Sequence, residues 1–137
     1  MTLTERQALH TLRMGRLIVY ADAMGVPVKV QEWNRLFSTQ KEYVASGVSK
    51  TLLSDHLDNC ATDVYIVIAG VAVVLTKDSP ATDKERYRII GRYWRELGGQ
   101  WGGDFCDRAK FIKENGREFD PEKDMGWDPF HMGSPKV

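Results

Sequence analysis

The sequence predicts an α+β fold, a small and mostly antiparallel sheet flanked by helices. Three observations lead there. Two stretches carry apolar residues at helical spacing, one near the start of the chain and one after Thr82. Between them, the β-branched runs Val64-Tyr65-Ile66-Val67-Ile68 and Val71-Ala72-Val73-Val74-Leu75 face each other across Ala69-Gly70, the pattern of a hairpin of central strands. The chain has 137 residues, 42% of them hydrophobic and 28% charged, so residues 1–137 are expected to form one domain with a real core.

Each element has its own signal. Thr4 followed by Gln7 reads as a capping box, with Leu3 and Ala8 placed as a staple. Ala8, Leu9, Leu12, Val19, Tyr20 and Ala23 then share a helical face until Gly25 and Pro27 intervene, which predicts a helix over 5–24. Val26, Val28 and Val30 alternate with Pro27, Lys29 and Gln31, so 26–33 reads as a half-buried strand. Ser38 is placed to cap a short helix from Thr39 to Ser46 that Gly47 ends. A second capping box, Thr82 with Glu85, opens a helix whose Tyr87, Ile90, Gly91 and Trp94 share one face before Gly98-Gly99. From Cys106 to Gly126 the chain is polar, with a turn or two of helix expected near Ala109–Glu114; the segment reads either as a lid over a substrate or as a solvated insertion.

Nineteen basic residues balance nineteen acidic ones. No net field draws the protein to nucleic acid, and no apolar run approaches the ~18 residues of a membrane span. Leu17-Ile18-Val19-Tyr20, interrupted by Asp22, is too short for the roughly 7–15 apolar residues of a signal-peptide core, so synthesis in the cytoplasm without a leader is expected. A monomer is expected. Cys60 and Cys106 form no CxxC pair and read as structural or incidental.

Chemistry concentrates in two places, Ser54-Asp55-His56 through Asp63 and Trp127-Asp128-Pro129-Phe130-His131. Two imidazoles and a carboxylate are the ligand set of a hydrolytic zinc site with one position left for water, and a second carboxylate can serve as its proton acceptor. Water bound to Zn²⁺ drops in pKa from about 15.7 to about 7. His56 and Asp63 are seven residues apart, but Leu57 to Thr62 has no helical stripe; His56 on a loop and Asp63 at the mouth of a strand is the better picture. Pro129 biases Asp128 toward an extended conformation, separating it in role from His131. The division of labour is then His56, Asp63 and His131 as ligands and Asp128 as base. On spacing alone these aspartates could equally be caps or turn residues on an ordinary surface. His10, beside Leu9 on the first helix, reads as a surface or boundary residue; Trp94 reads as core, and packing is also the commoner role for Trp101 and Trp127, which flank the proposed cleft. Ser54 can hydrogen-bond near the metal or hold its loop, but it has no base beside it to make it a nucleophile.

The segment Ser54-x-His56-x-x-Asn59-x-Ala61-x-Asp63 resembles the SxHxxGxAxD signature of the zinc peptidases that include D-alanyl-D-alanine carboxypeptidases and the L-alanyl-D-glutamate endopeptidases of phage endolysins. Trp33-Asn34-Arg35 with Gln40 is similar to that family's GYRS…Q element, and Gly47-Val48-Ser49-Lys50-Thr51-Leu52 to the GxSKTL lead-in of its phage branch. Leu97 to Phe105 resembles its LGGxWGGxF segment and Asp128-x-x-His131 its final DxxH. The matches keep the family's order over roughly residues 30–133. One residue departs from the pattern: Asn59 stands where the family has Gly, and Asn is the next most tolerant of positive φ.

The resemblance implies a fold of the hedgehog and D-alanyl-D-alanine peptidase type, Zn²⁺ held by His56, Asp63 and His131, and Asp128 as catalytic base. It also implies that Arg35 supports the substrate carbonyl or a peptide carboxylate, a role a fixed guanidinium fills without proton transfer; a surface ion pair with Glu32 or Glu42 is the other reading. Arg35, Ser54 and Trp127 are the candidate substrate contacts. The implied activity is hydrolysis of the stem peptide of bacterial peptidoglycan, as an L-alanyl-D-glutamate endopeptidase of the endolysin type that is made in the host cytoplasm and acts on the wall. A D-alanyl-D-alanine carboxypeptidase and a non-catalytic, zinc-stabilised peptidoglycan-binding module are the alternatives.

Overall fold

The computed structural model describes residues 1–33, 37–47, 58 and 60–135, with the backbone alone for Glu32 and 37–40. Helix α1 (Leu3–Ala23) starts two residues earlier than its sequence signal. Its cap is Thr2, whose hydroxyl accepts from the Glu5 amide while the Glu5 carboxylate accepts from the Thr2 amide, a reciprocal box that leaves Thr4 inside the helix. The buried stripe is also rotated from the expected one. It runs Arg6, His10, Met14, Leu17 and Ala21, while Leu12 and Val19 are exposed. Two polar members, satisfied by tertiary hydrogen bonds, disguise it. Strand β1 (Val28–Glu32) and helix α2 (Phe37–Ser46) follow; α2 begins before Ser38, so Ser38 lies within the helix instead of capping it.

Strand β2 (Ala61–Ile68) and strand β3 (Val71–Ala72) form the expected antiparallel hairpin, with Ala69 and Gly70 both at positive φ in the turn. The second arm is shorter than the apolar run implied, and Val74 beyond it is exposed. Helix α3 (Ala81–Glu96) buries Tyr87, Ile90, Gly91 and Trp94, the face its periodicity predicts. Pro80 precedes it without a side-chain cap, and Glu85 pairs with Arg92 instead of closing a box with Thr82. After strand β4 (Gln100–Trp101) and a 3₁₀ turn (Gly102–Asp104) comes helix α4 (Arg108–Asn115), capped by Asp107 and ended by Gly116 in the left-handed region. The 117–124 stretch after α4 is tied to α3: Glu122 pairs with Arg92 and Arg95, and Arg88 donates to the Lys123 carbonyl. Strand β5 (His131–Gly133) closes the sheet, whose order is β1-β2-β5-β4 with β3 on the other part of β2; every pairing is antiparallel.

The core explains which way the sheet faces. Val64 and Ile66 of β2, Met132 of β5 and Trp101 of β4 pack with Met14, Leu17 and Ala21 of α1 and Tyr87, Ile90 and Trp94 of α3. Gly91 permits a close contact here, since a Cβ there would sit 2.3 Å from the Trp101 ring. Because side chains alternate along a strand, the residues between Val64, Ile66 and Met132 point away from the helices. None of the helices among the described residues is long and apolar enough to cross a membrane.

Candidate metal centre

Asp63 and His131 are among those outward-facing residues, and they are direct cross-strand partners in the β2–β5 ladder. Residues so paired have Cβ atoms about 4.5–5.5 Å apart, so the register alone brings the carboxylate and the imidazole together. His131 Nδ1 lies 3.9 Å from Asp63 Oδ1 and also 3.9 Å from Asp128 Oδ2. One ligand atom from each of the three residues falls within 4.8 Å of the others. The imidazole is 11% exposed and the two carboxylates 22% and 30%, a wall-side position that still reaches solvent. Asp63 sits inside β2, two residues from its start, not at its mouth.

Asp128 is placed by the backbone around it. The 126–131 strap lies along 101–105: the Gly126 amide donates to Gly103 O at 2.6 Å, Trp127 N to Phe105 O at 3.0 Å and Asp128 N to Gly102 O at 3.3 Å, and Trp101 Nε1 donates to Pro129 O at 2.8 Å. His131 N then donates to Asp128 O at 3.1 Å, coupling the two site residues directly. Gly102 makes this approach possible, because a Cβ there would lie 1.9 Å from Asp128 O and 2.8 Å from the Cβ of His131. The Phe105 ring stands 5.3 Å from the His131 ring and 5.2 Å from Trp127.

Behind the site, on the helix face of the same strands, is a buried polar network. His10 is fully buried, which corrects its reading as a surface or boundary residue. Its two ring nitrogens meet Ser134 Oγ and Thr62 Oγ1, each at 2.8 Å, and its ring lies edge-on to Trp94. Arg6 donates twice to Ser134 O, and Trp94 Nε1 donates to Gly133 O. Thr62 and Ser134 flank Asp63 and the end of β5, so α1 holds both ligand-bearing strands from below. Neither this network nor the packing roles of Gly102 and Phe105 were read from the sequence; the Trp101-Gly102-Gly103 run was the one visible trace.

The structure thus gathers Asp63, Asp128 and His131. Trp127 is 60% exposed beside them, while Trp101, like Trp94, belongs to the core. Arg35, Ser54, His56 and Asn59 lie outside the described residues. A donor set of imidazole nitrogen and carboxylate oxygen suits zinc. Two ligands each about 2.1 Å from one ion can be at most about 4.2 Å apart; both histidine–carboxylate separations fall inside that limit. These residues therefore fit a metal ion.

No protein-family profile matches the chain, and no curated protein sequence does. Among solved structures it is similar to the Serratia marcescens L-Ala D-Glu endopeptidase ChiX, at 28% sequence identity and a TM-score of 0.51, over 80% of this chain and 68% of that one. The α+β architecture, with its small antiparallel sheet, is consistent with the fold of that endopeptidase.

Proposed function

We propose that this chain is a zinc peptidase that hydrolyses the stem peptide of bacterial peptidoglycan, cutting the bond between L-alanine and D-glutamate. The observation that carries the reading is the Asp63–Asp128–His131 cluster, set on a fold shared with an L-Ala D-Glu endopeptidase. The family signature around His56 and the Asp128-x-x-His131 ending support it from the sequence, and favour an endolysin-type enzyme whose catalytic unit is the 1–137 span.

In this reading Asp63 and His131 would hold Zn²⁺ together with His56. Bound there, the ion would supply Lewis acidity. Asp128 accepts the proton of the attacking water on its carboxylate and returns it to the departing amine, a step that typically contributes about 10²–10⁴-fold. The β2–β5 register fixes Asp63 and His131, and the contact with Gly102 fixes Asp128. Arg35 stabilises the charge that develops on the carbonyl oxygen, and Ser54 and Trp127 line the path of the peptide.

Digestion of purified peptidoglycan by zinc-loaded wild type, Asp128→Ala and His131→Ala tests the proposal, with released termini read by mass spectrometry and metal by elemental analysis. New N-terminal D-glutamate is expected from wild type alone. Asp128→Ala should keep zinc and lose activity, whereas His131→Ala should lose the metal. Free D-alanine would instead make the protein a carboxypeptidase, and no cleavage by zinc-loaded wild type would leave a binding module and refute the enzyme.

A further inference from the structure

A cleft of about 640 Å³ is bordered by the strap that carries Asp128. Trp127 and Pro129, the two neighbours of Asp128 in sequence, both line it, so the cleft and the candidate metal centre share one wall. The opposite wall is the start of α3 and the 75–77 stretch that leads to it. Its size falls in the range of sites for small ligands, roughly 300–1,000 Å³.

The lining is chemically one-sided. Lys77, Lys84, Arg88 and Lys123 bring four cations to it, in a chain whose charges as a whole sum to zero. Among the described residues its one acidic lining residue, Asp124, is already neutralised: both of its oxygens accept from Arg117, at 2.6 and 2.7 Å, and that pairing holds the carboxyl below its usual range. Glu85 lies 3.7 Å from Arg88 but is shared with Arg92, which it meets at 2.9 Å. Lys84 is drawn over the cleft by its hydrogen bond to Lys77 O, and the first turn of α3 adds the positive end of a helix dipole. Arg88 is 12% exposed, and its Nε is buried with no hydrogen-bond partner among the described residues. That Nε is closed off from the cleft itself, so the guanidinium acts on an anion there through its charge, which burial leaves little screened. Phe111, Trp127 and Phe130 supply apolar walls, so the site favours a ligand with a charged end and a carbon body over a bare ion.

We propose that this cleft is an anion-accepting subsite that holds a carboxylate of the substrate peptide while the scissile bond lies across the strap at Asp128. The proposal rests on the peptidase reading for the identity of the ligand, and it names what that reading lacks: the element that selects an acidic residue next to the cut. A D-glutamyl residue carries the carboxylate required. Lys84 and Lys123 take the charge, Arg88 backs them, and the aromatic side chains pack the peptide backbone. Peptides with that carboxylate converted to an amide should be poor ligands.

The test is calorimetric titration of the zinc-loaded Asp128→Asn protein with an L-alanyl-D-glutamyl peptide whose carboxylates are free, and with the same peptide amidated. The free form should bind about tenfold more tightly, a difference that charge-assisted contacts commonly supply. Lys84→Gln/Lys123→Gln, made in the same background, should abolish the difference, and Lys84→Arg/Lys123→Arg should restore it. In the wild-type background the glutamine pair should raise KM about tenfold with kcat unchanged. Equal affinity for the two peptides, or a preference that the glutamine pair leaves intact, overturns the subsite even if wild type cleaves the peptide. Carboxylate-dependent binding by a wild type that cleaves nothing keeps the subsite and refutes the peptidase.

Discussion

Gly102→Ala is the sharpest probe of how the site is built. The added Cβ would stand 1.9 Å from Asp128 O, and contacts under 3.0 Å do not persist, so the Asp128 carbonyl must retreat by about 1.1 Å or the 3₁₀ turn must tilt. Neither partner is a flexible tip: both are backbone, held by the Asp128 N to Gly102 O and His131 N to Asp128 O hydrogen bonds. Overpacking of this kind costs about 1–3 kcal/mol. A 1 Å misplacement near reacting groups costs about 10²-fold in rate. The expected variant is therefore folded, less stable by that amount in urea titration, at least about 10²-fold slower in peptide cleavage, and shifted in the His131 ring resonances by NMR. Gly15→Ala is the matched control. It lies in α1 with nothing within 4 Å of the new Cβ, and should gain about 0.5–1 kcal/mol from helix propensity alone, with activity unchanged. Wild-type stability and an unmoved His131 spectrum in Gly102→Ala would refute the claim that close backbone approach fixes Asp128, whatever reaction the protein carries out.

Two further outcomes follow from the network behind the sheet and from the segment after α4. His10→Ala removes the partner of two buried hydroxyls, Thr62 and Ser134, and leaves a void against Trp94; the expected loss is about 3–5 kcal/mol by chemical denaturation, and a loss under about 1 kcal/mol would mean water replaces the ring. The Arg117 guanidinium holds the Asp124 carboxyl down at about 2, below its ordinary 3.8. A depressed folded-state pKa gives stability that is present above the unfolded value and fades as pH falls toward the folded one. Wild type should thus have a higher Tm than Asp124→Asn at pH 7, and the gap should close between about pH 4 and pH 2; a gap constant across that window would show that the pair contributes by packing.

The contrast between α3 and α1 shows what a local pattern carries. The stripe Tyr87–Ile90–Gly91–Trp94 is apolar or small throughout, so its period is visible in sequence and matches the buried face. The α1 stripe has the same geometry, but it opens with Arg6 and His10, whose partners lie 128, 124 and 52 residues away. Nothing near them in the chain signals that they are satisfied, so the apolar residues Leu12 and Val19 drew the face to the wrong side. The first capping box failed for a related reason: Thr2 with Glu5 and Thr4 with Gln7 offer the same spacing, and spacing alone does not choose between them.

The meeting of Asp63, Asp128 and His131 was expected for the opposite reason: these residues are rare types in a family-like order, and their meeting depends on register more than on distance. Asp63 could be placed on a strand from the β-branched run that follows it. That His131 would pair with it could not, because β5 is three residues long and carries no alternation of its own. The pairing has a structural consequence. With period two along β2, Thr62 must face the helices if Asp63 faces outward. A slip of one residue would put the carboxylate against His10 and the threonine in the metal centre. The His10 hydrogen bonds to Thr62 and Ser134 secure both strands from the helix side, and so specify the register on which the Asp63–His131 pair depends. The buried histidine that the sequence placed at the surface or boundary is thus a determinant of the site's geometry from the opposite face of the sheet.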